Sequence, residues 1–209
     1  MTETLTRREA NKARTREAVI AALRDLVVER PVDEITVDQL AEAAGISRRT
    51  FFNYYGSIGA VLVEVFSAHA EAMVGQIDQA GLVADPIAAL REFVTHGHTD
   101  PDFLGWMAAL NCHGTAGDAA LAVERTVWTE LGTWLDGRLH EMLSAGTDPL
   151  YVTTLATSVM HAFSAAEKAW LADRADPTRL SASDLAAFPE HLDRALGYLA
   201  AGWRPEHDG

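Results

Sequence analysis

Between Thr36 and Tyr55 the chain writes two helix starts and one helix stop within twenty residues. Thr36 followed three residues later by Gln39 is a capping box, in which side chain and backbone satisfy each other's free donors. It opens a short helix with Val37, Leu40, Ala41 and Ala44 turned inward. Gly45 stops that helix, because a residue without Cβ takes the left-handed cap conformation freely. Ile46 plugs the turn, and Ser47 is placed to N-cap a third helix running from Arg48 to about Tyr55. A helix, a glycine-containing turn and a second short helix headed by basic residues form a helix-turn-helix pattern.

The flanks agree with that reading. Ala18, Val19, Ala22, Leu23, Leu26 and Val27 recur at helical spacing and give one apolar face. Pro31 cannot continue that helix, so it ends near Arg30. Past Gly56, Ser57 can cap a long helix bearing Val61, Leu62, Val65, Phe66, His69 and Met73. Further on, Asp-Pro pairs mark helix starts: Asp as N-cap with Pro at the first helical position predicts helices from Pro86, Pro101 and Pro149. Two more are expected from about Asp118 to Leu143 and from about Asp184 to Ala201. No segment alternates with period two, and no Asn-Gly or Asp-Gly hairpin turn occurs, so the chain reads as all-α.

A recognition helix enters the major groove end-on, so its first turns meet the bases. Arg48 and Arg49 stand there, and an arginine fork matches guanine O6 and N7 or clamps a phosphate. Asn53 can pair with adenine N6 and N7. Thr50 can touch a thymine methyl or donate to phosphate, and the Tyr54 hydroxyl can donate to phosphate. The free backbone N–H groups that follow Thr36 suit a phosphate oxygen. Phe51 and Tyr55 are expected to face inward and hold the helix on its neighbours.

The net charge of −13 argues at first against a nucleic-acid partner. The distribution of charge along the chain argues the other way. Residues 1–55 hold nine basic and nine acidic side chains, so the whole excess of negative charge lies in the remainder. A neutral head with clustered arginines can approach phosphates while an acidic body stays clear of them. The 209 residues suffice for one large domain or two small ones. No apolar run approaches the roughly 18–20 residues needed to cross a bilayer, and the polar start of the chain lacks the apolar core of a signal peptide. The expectation is a cytoplasmic protein without membrane contact. A single cysteine, Cys112, excludes an internal disulfide and a multi-cysteine zinc site.

The stretch from Arg16 to Phe66, with Ile35-Thr36-Val37-Asp38-Gln39-Leu40-Ala41-Glu42-Ala43-Ala44-Gly45-Ile46-Ser47-Arg48-Arg49-Thr50-Phe51-Phe52-Asn53-Tyr54-Tyr55 at its centre, resembles the DNA-binding domain of the TetR family. The resemblance covers about a quarter of the chain, in order and in spacing. It implies a homodimer on an operator of two-fold symmetry, double-stranded DNA as partner, a small-molecule effector, and usually repression. It puts Thr36, Arg48, Arg49, Thr50, Phe52 and Tyr54 at positions used for DNA contact, with Asn53 beside them. The sequence departs from the family in two places. Phe52 stands where a tyrosine is frequent, so one hydroxyl for phosphate is missing. Ile58 and Gly59 stand where the family usually has lysine, often followed by glutamate. Lys12, Arg14 and Arg16 on the N-terminal arm are candidates to replace the lost phosphate contact.

The expected organisation is a DNA-binding domain over 1–57 and a helical regulatory domain over 58–209. In the latter, the helix from Pro149 shows Leu155, Ser158, Val159, Ala162, Ala165, Ala166 and Ala169 on one side. The last helix offers Phe188, Leu192, Ala195, Leu196 and Leu199, with Trp203 beyond. These stripes are either intrachain core or a four-helix dimer interface; the interface is the stronger expectation, through Leu155, Val159, Ala162, Ala166, Leu192, Leu196 and Leu199, because two readers must sit about 34–36 Å apart. An aromatic zone including Phe93, Phe103, Trp106, Met107, Trp128 and Leu131 packs as core and suits a pocket for a hydrophobic or amphipathic molecule, with Phe103, Trp106, Met107, Trp128 and Leu131 as its candidate lining. A ligand there would shift the fourth helix through Val61, Leu62 and Val65.

His96-Gly97-His98 with Asp100 carries metal-ligand chemistry, but histidine at a helix C-terminus also complements the helix dipole. Cys112 and His113 are adjacent, and neighbours on a helix do not face each other. No metal and no cofactor are therefore expected. The chain has no Gly-rich phosphate loop, no Gly-x-Ser-x-Gly elbow and no His-Glu-x-x-His helix, so an enzyme is not expected. The alternative to a DNA-binding regulator is a helical protein-interaction adaptor, which would tolerate loss of Arg48 and Arg49.

Overall fold

The computed structural model describes residues 7–77, 79–96, 100–111, 118–143, 146–172, 174 and 180–202, and of residues 111, 79 and 118–124 the backbone alone. Among the described residues the regular elements are all helical: α1 (Arg7–Glu29), a 3₁₀ turn (Val32–Glu34), α2 (Val37–Ala43), α3 (Arg48–Phe52), α4 (Ile58–Val74), α5 (Gln79–Ala84), α6 (Pro86–Thr95), α7 (Pro101–Asn111), α8 (Asp118–Met142), α9 (Pro149–Ala172) and α10 (Ala182–Ala200). None is long and apolar enough to cross a membrane. The chain divides into two compact units, Met1–Val65 with Ala109–Val127, and Phe66–Ala108 with Trp128–Gly209.

In the first unit the apolar stripe of α1 goes inward as its spacing requires. Val19, Leu23 and Val27 are fully buried and Ala22 nearly so. Leu40 and Ala41 of α2, Phe51, Tyr55, and Val61, Leu62 and Val65 of α4 are buried too. Lys12, Arg14 and Arg16 belong to α1 rather than to an extended arm, since that helix already begins at Arg7.

In the second unit a core of Leu82, Leu139, Leu143, Val152, Leu155 and Ala156 is flanked by Ile77, Ile87, Leu135 and Val159. α10 packs on both α9 and α6. Arg91 of α6 donates from Nε and Nη2 to the two carboxylate oxygens of Asp193 on α10, at 2.8 and 3.1 Å. Trp170, fully buried on α9, donates its indole N–H to the Asp184 carbonyl at 2.8 Å. Asp184 also closes a capping box with Ser181 and accepts from Arg174. The Ser181 side chain, its backbone N–H and the Arg174 guanidinium hold the Asp184 carboxyl below its ordinary range.

Several boundaries differ from the sequence reading. α3 ends at Phe52, and hydrogen-bonded turns carry the chain on to Tyr55. The last helix begins at Ala182 because Ser181, with Asp184 three residues on, supplies a capping box. It runs through Pro189, which gives up one backbone donor. α5 has no counterpart among the expected helices; it is six residues long and contains Gly81.

Candidate nucleic-acid interface

The helix-turn-helix is held by the bonds its sequence predicts. The Thr36 hydroxyl accepts from Gln39 N at 3.2 Å while Gln39 Oε1 accepts from Thr36 N at 2.9 Å. α2 then closes in a Schellman pattern: Ile46 N donates to Ala41 O at 2.9 Å, Gly45 N donates to Glu42 O at 3.0 Å, and Gly45 sits at φ 66°. Two residues later Ser47 Oγ accepts from Thr50 N at 3.0 Å and caps α3. One left-handed residue thus sets the angle between the two helices, and one hydroxyl sets where the second begins.

Phe51 anchors α3 from beneath. It is fully buried, with ring centroids 5.6 Å from Phe52 in an edge contact and 5.7 Å from Tyr55. Both inward-facing expectations, Phe51 and Tyr55, agree with the structure. The opposite side of the helix is open: Arg48, Arg49, Phe52 and Asn53 are exposed, and Thr50 and Tyr54 are half-buried. Phe52 leaves 47% of its surface to solvent, an unusual position for a phenylalanine without a partner to cover it. Thr36 is exposed at the start of α2.

The two arginines are not equivalent. Arg48 Nη1 donates to Asp38 Oδ2 at 2.6 Å, and its guanidinium carbon lies 5.4 Å from the Phe52 ring centroid. Arg49 has no acidic partner among the described residues. The contact between Arg48 and Asp38 escapes sequence reasoning, although both ends are visible there: an acid in the first turn of α2 and a base in the first turn of α3.

Within the same unit, Arg16 of α1 approaches Glu64 of α4, Nη1 to Oε1 3.7 Å. Arg16 is therefore engaged within the unit, whereas Lys12 and Arg14 are exposed. The buried Tyr55 hydroxyl feels both charges: burial first, then the Glu64 carboxylate, push its pKa up to about 12, against the pull of Arg16. At Ile58 the helix start is built as expected, with Ser57 Oγ accepting from Ala60 N at 3.2 Å. Ile58 is half-buried and Gly59 buried, so no cation stands at either position.

In the second unit Phe103, Trp106, Met107 and Leu131 are buried and Trp128 is half-buried. Phe163 brings two of them together, with centroids 5.7 Å from Phe103 and 5.9 Å from Trp128. It also meets Phe188 edge to face, and Phe188 meets Trp170 in the same way. The sequence reading misses Phe163, although it lies four residues after Val159 and three before Ala166, on the same apolar stripe. His69 of α4 joins the cluster 5.6 Å from Phe103 and bonds Asp100 through Nδ1 at 2.9 Å.

Of the residues assigned to an interface, Leu155, Ala162, Ala166, Leu192 and Leu196 are buried within the single chain. Val159 and Leu199 are half-buried. The small-residue stripe is thus used inside the protein, and a second copy meeting α9 and α10 must use their outward faces. Those faces carry Thr157, His161 and Lys168 on α9, and Glu190, Arg194 and Tyr198 on α10.

His96 is the C-cap of α6, its Nδ1 2.6 Å from Glu92 O. Gly97 and His98, Cys112 and His113, and Trp203 lie outside the described residues. Among the described residues no three potential ligands gather as a metal site.

Comparison with known proteins finds similarity in the N-terminal residues. Residues 19–65 match the bacterial regulatory proteins of the tetR family. The HTH-type transcriptional regulator AlkX of Mycobacterium tuberculosis is 47% identical over 49 residues, 23% of this chain and 23% of AlkX. The HTH-type transcriptional regulator EthR of the same species is 41% identical over 63 residues, 30% of this chain and 27% of EthR. The chain therefore spans about a quarter of the length of these relatives. A crystal structure of Thermus thermophilus FadR, a TetR family transcriptional repressor in complex with lauroyl-CoA, aligns with a TM-score of 0.48 and 23% identity over 92% of this chain and 96% of that one.

Proposed function

We propose, from the match of residues 19–65 to the bacterial regulatory proteins of the tetR family, that this protein is a TetR-family, ligand-responsive, sequence-specific transcriptional regulator. In this reading it is a cytoplasmic repressor that binds a palindromic operator as a homodimer. A small hydrophobic or amphipathic effector releases it. Residues 1–57 read the DNA and 58–209 sense the effector and dimerise.

The observation that carries the proposal is the face of α3. Arg48, Arg49, Phe52 and Asn53 stand exposed on a five-residue helix whose reverse side is pinned by fully buried Phe51. Such a helix has too little length to be stable alone, so its rigidity comes from the capping bonds and that single ring. Arg48 and Arg49 supply guanine or phosphate forks, Asn53 an adenine pair, and Thr50 and Tyr54 phosphate donors. The exposed start of α2 at Thr36 supplies backbone donors.

For the effector, the rings of Phe103, Trp128 and Phe163, with buried Trp106, Met107 and Leu131, are the proposed apolar lining. The bonded pair of His69 and Asp100 beside Phe103 supplies a polar end, which favours an amphipathic ligand. His69 lies on α4, the helix that also carries buried Val61, Leu62 and Val65 of the first unit. An effector that prefers one setting of α4 shifts the operator affinity by its preference and no more. The homodimer is assigned to the outward faces of α9 and α10, where Tyr198 leaves 47% of its surface exposed.

The experiment is selection of bound sequences from a random duplex library. Enrichment of an inverted repeat with half-sites about one helical turn apart supports the proposal. Absence of any enriched motif at every salt concentration where the protein is folded refutes it.

A further inference from the structure

Arg48 is restrained from two sides. On one, Asp38 from the preceding helix holds Nη1 at 2.6 Å. On the other, the Phe52 ring lies 5.4 Å from the guanidinium carbon, one turn further along α3, within the range of a cation–π contact. Both members of the ion pair are well exposed, 60% for Arg48 and 65% for Asp38. Exposed pairs of this kind add little to global stability. Their effect is local: a long side chain that would otherwise sample many rotamers is held in one. An arginine offers five N–H donors in a fixed fork, and the bond to Asp38 leaves donors for a base edge.

Asp38 also has an electrostatic effect. It sits in the first turn of α2, beside backbone donors suited to a phosphate. An isolated carboxylate there would repel DNA. Paired with Arg48 it does not, and Arg48 in turn presents less free charge to phosphates in general. Arg49, with no acidic partner among the described residues, has neither restraint.

We propose that Asp38 is a specificity-determining positioning residue: it fixes the Arg48 guanidinium against Phe52 for a base edge and keeps it from acting as a general phosphate clamp. This rests on the DNA-reading function proposed above. Phe52, a departure from the tyrosine frequent at its position, then has a use of its own as the surface on which Arg48 rests.

The test uses the full-length protein and the duplex selected by wild type. Arg48→Ala identifies the base pair whose discrimination depends on Arg48, and Arg49→Ala the pair that depends on Arg49. Asp38→Asn, which removes the charge at constant shape, is predicted to lower discrimination at the Arg48 pair by roughly three- to tenfold, the range expected for coupled contacting residues. Discrimination at the Arg49 pair stays unchanged. Binding to random duplex strengthens, with a log–log salt slope steeper by about one as the freed arginine finds a phosphate. In the Arg48→Ala background, Asp38→Asn has no further effect on discrimination. Unchanged discrimination in Asp38→Asn, an equal fall in the Arg48→Ala background, or an equal fall at the Arg49 pair overturns the role of Asp38. A wild type that selects no motif overturns the DNA-reading function and this inference together.

Discussion

Arg16 Nη1 stands 3.7 Å from Glu64 Oε1, and both charges act on the buried hydroxyl of Tyr55, in the segment that joins α3 to α4. Burial and then Glu64 raise the Tyr55 pKa from 10.0 to about 12. A raised folded-state pKa means that the neutral phenol is the favoured form in the native protein. Its contribution is complete below pH 10, the unfolded value, and is lost as pH rises toward 12. Unfolding midpoints of wild type and Tyr55→Phe between pH 8 and about 12 measure this. The variant is expected to lose less stability over the alkaline window; parallel profiles would contradict the assignment.

Asp184 gives the opposite sign at the acid end. Its hydrogen bonds to Ser181, then Arg174, lower its pKa. That stability is present above the unfolded carboxylate value, about 4, and is lost as pH falls through the lower folded value. Acid unfolding of Asp184→Asn should show a flatter pH dependence than wild type between about pH 4 and that lower value, with a lower midpoint at neutral pH.

Gly45 at φ 66° is the pivot of the helix-turn-helix. A Cβ there meets no neighbour within 4 Å, so the strain of Gly45→Ala is purely conformational. A left-handed alanine costs about 1–2 kcal/mol. Gly45→Asn, which tolerates that conformation better, should recover part of it. Chemical denaturation of the two variants checks the order wild type, Asn, Ala.

Ile58 is half-buried at the first position of α4, where the resembling family usually has a lysine. Ile58→Lys is expected to tighten binding to any duplex and to steepen the log–log salt slope by about one, without changing which sequence is preferred. A changed preference would show that the position reads bases.

The first unit is legible in the sequence because its signals are local. Thr36, Gln39, Gly45 and Ser47 each dictate a bond within five residues of themselves, and each bond is present. The second unit is harder to read for the opposite reason. An amphipathic stripe states that a face is covered, not by what: Leu155, Ala162 and Ala166 suit a partner chain by their spacing and are buried within their own. α5 lacks a signal because six residues around a glycine do not define a period. The pairing of Asp38 with Arg48 needs the turn geometry set by Gly45, which brings together residues ten apart. A few arginines in a chain of net charge −13 become informative only once the charge is divided along the sequence.

The most direct test of the account is titration of the purified protein with its selected duplex and with a scrambled duplex of equal composition, for wild type and for Arg48→Ala/Arg49→Ala. Wild type is expected to prefer the selected duplex by at least about 10³, the lower end for specific regulators, and the double variant to bind both duplexes alike while keeping its helical fold. Equal binding of the two duplexes by wild type, or an undiminished preference in the double variant, would contradict the claim that α3 reads DNA.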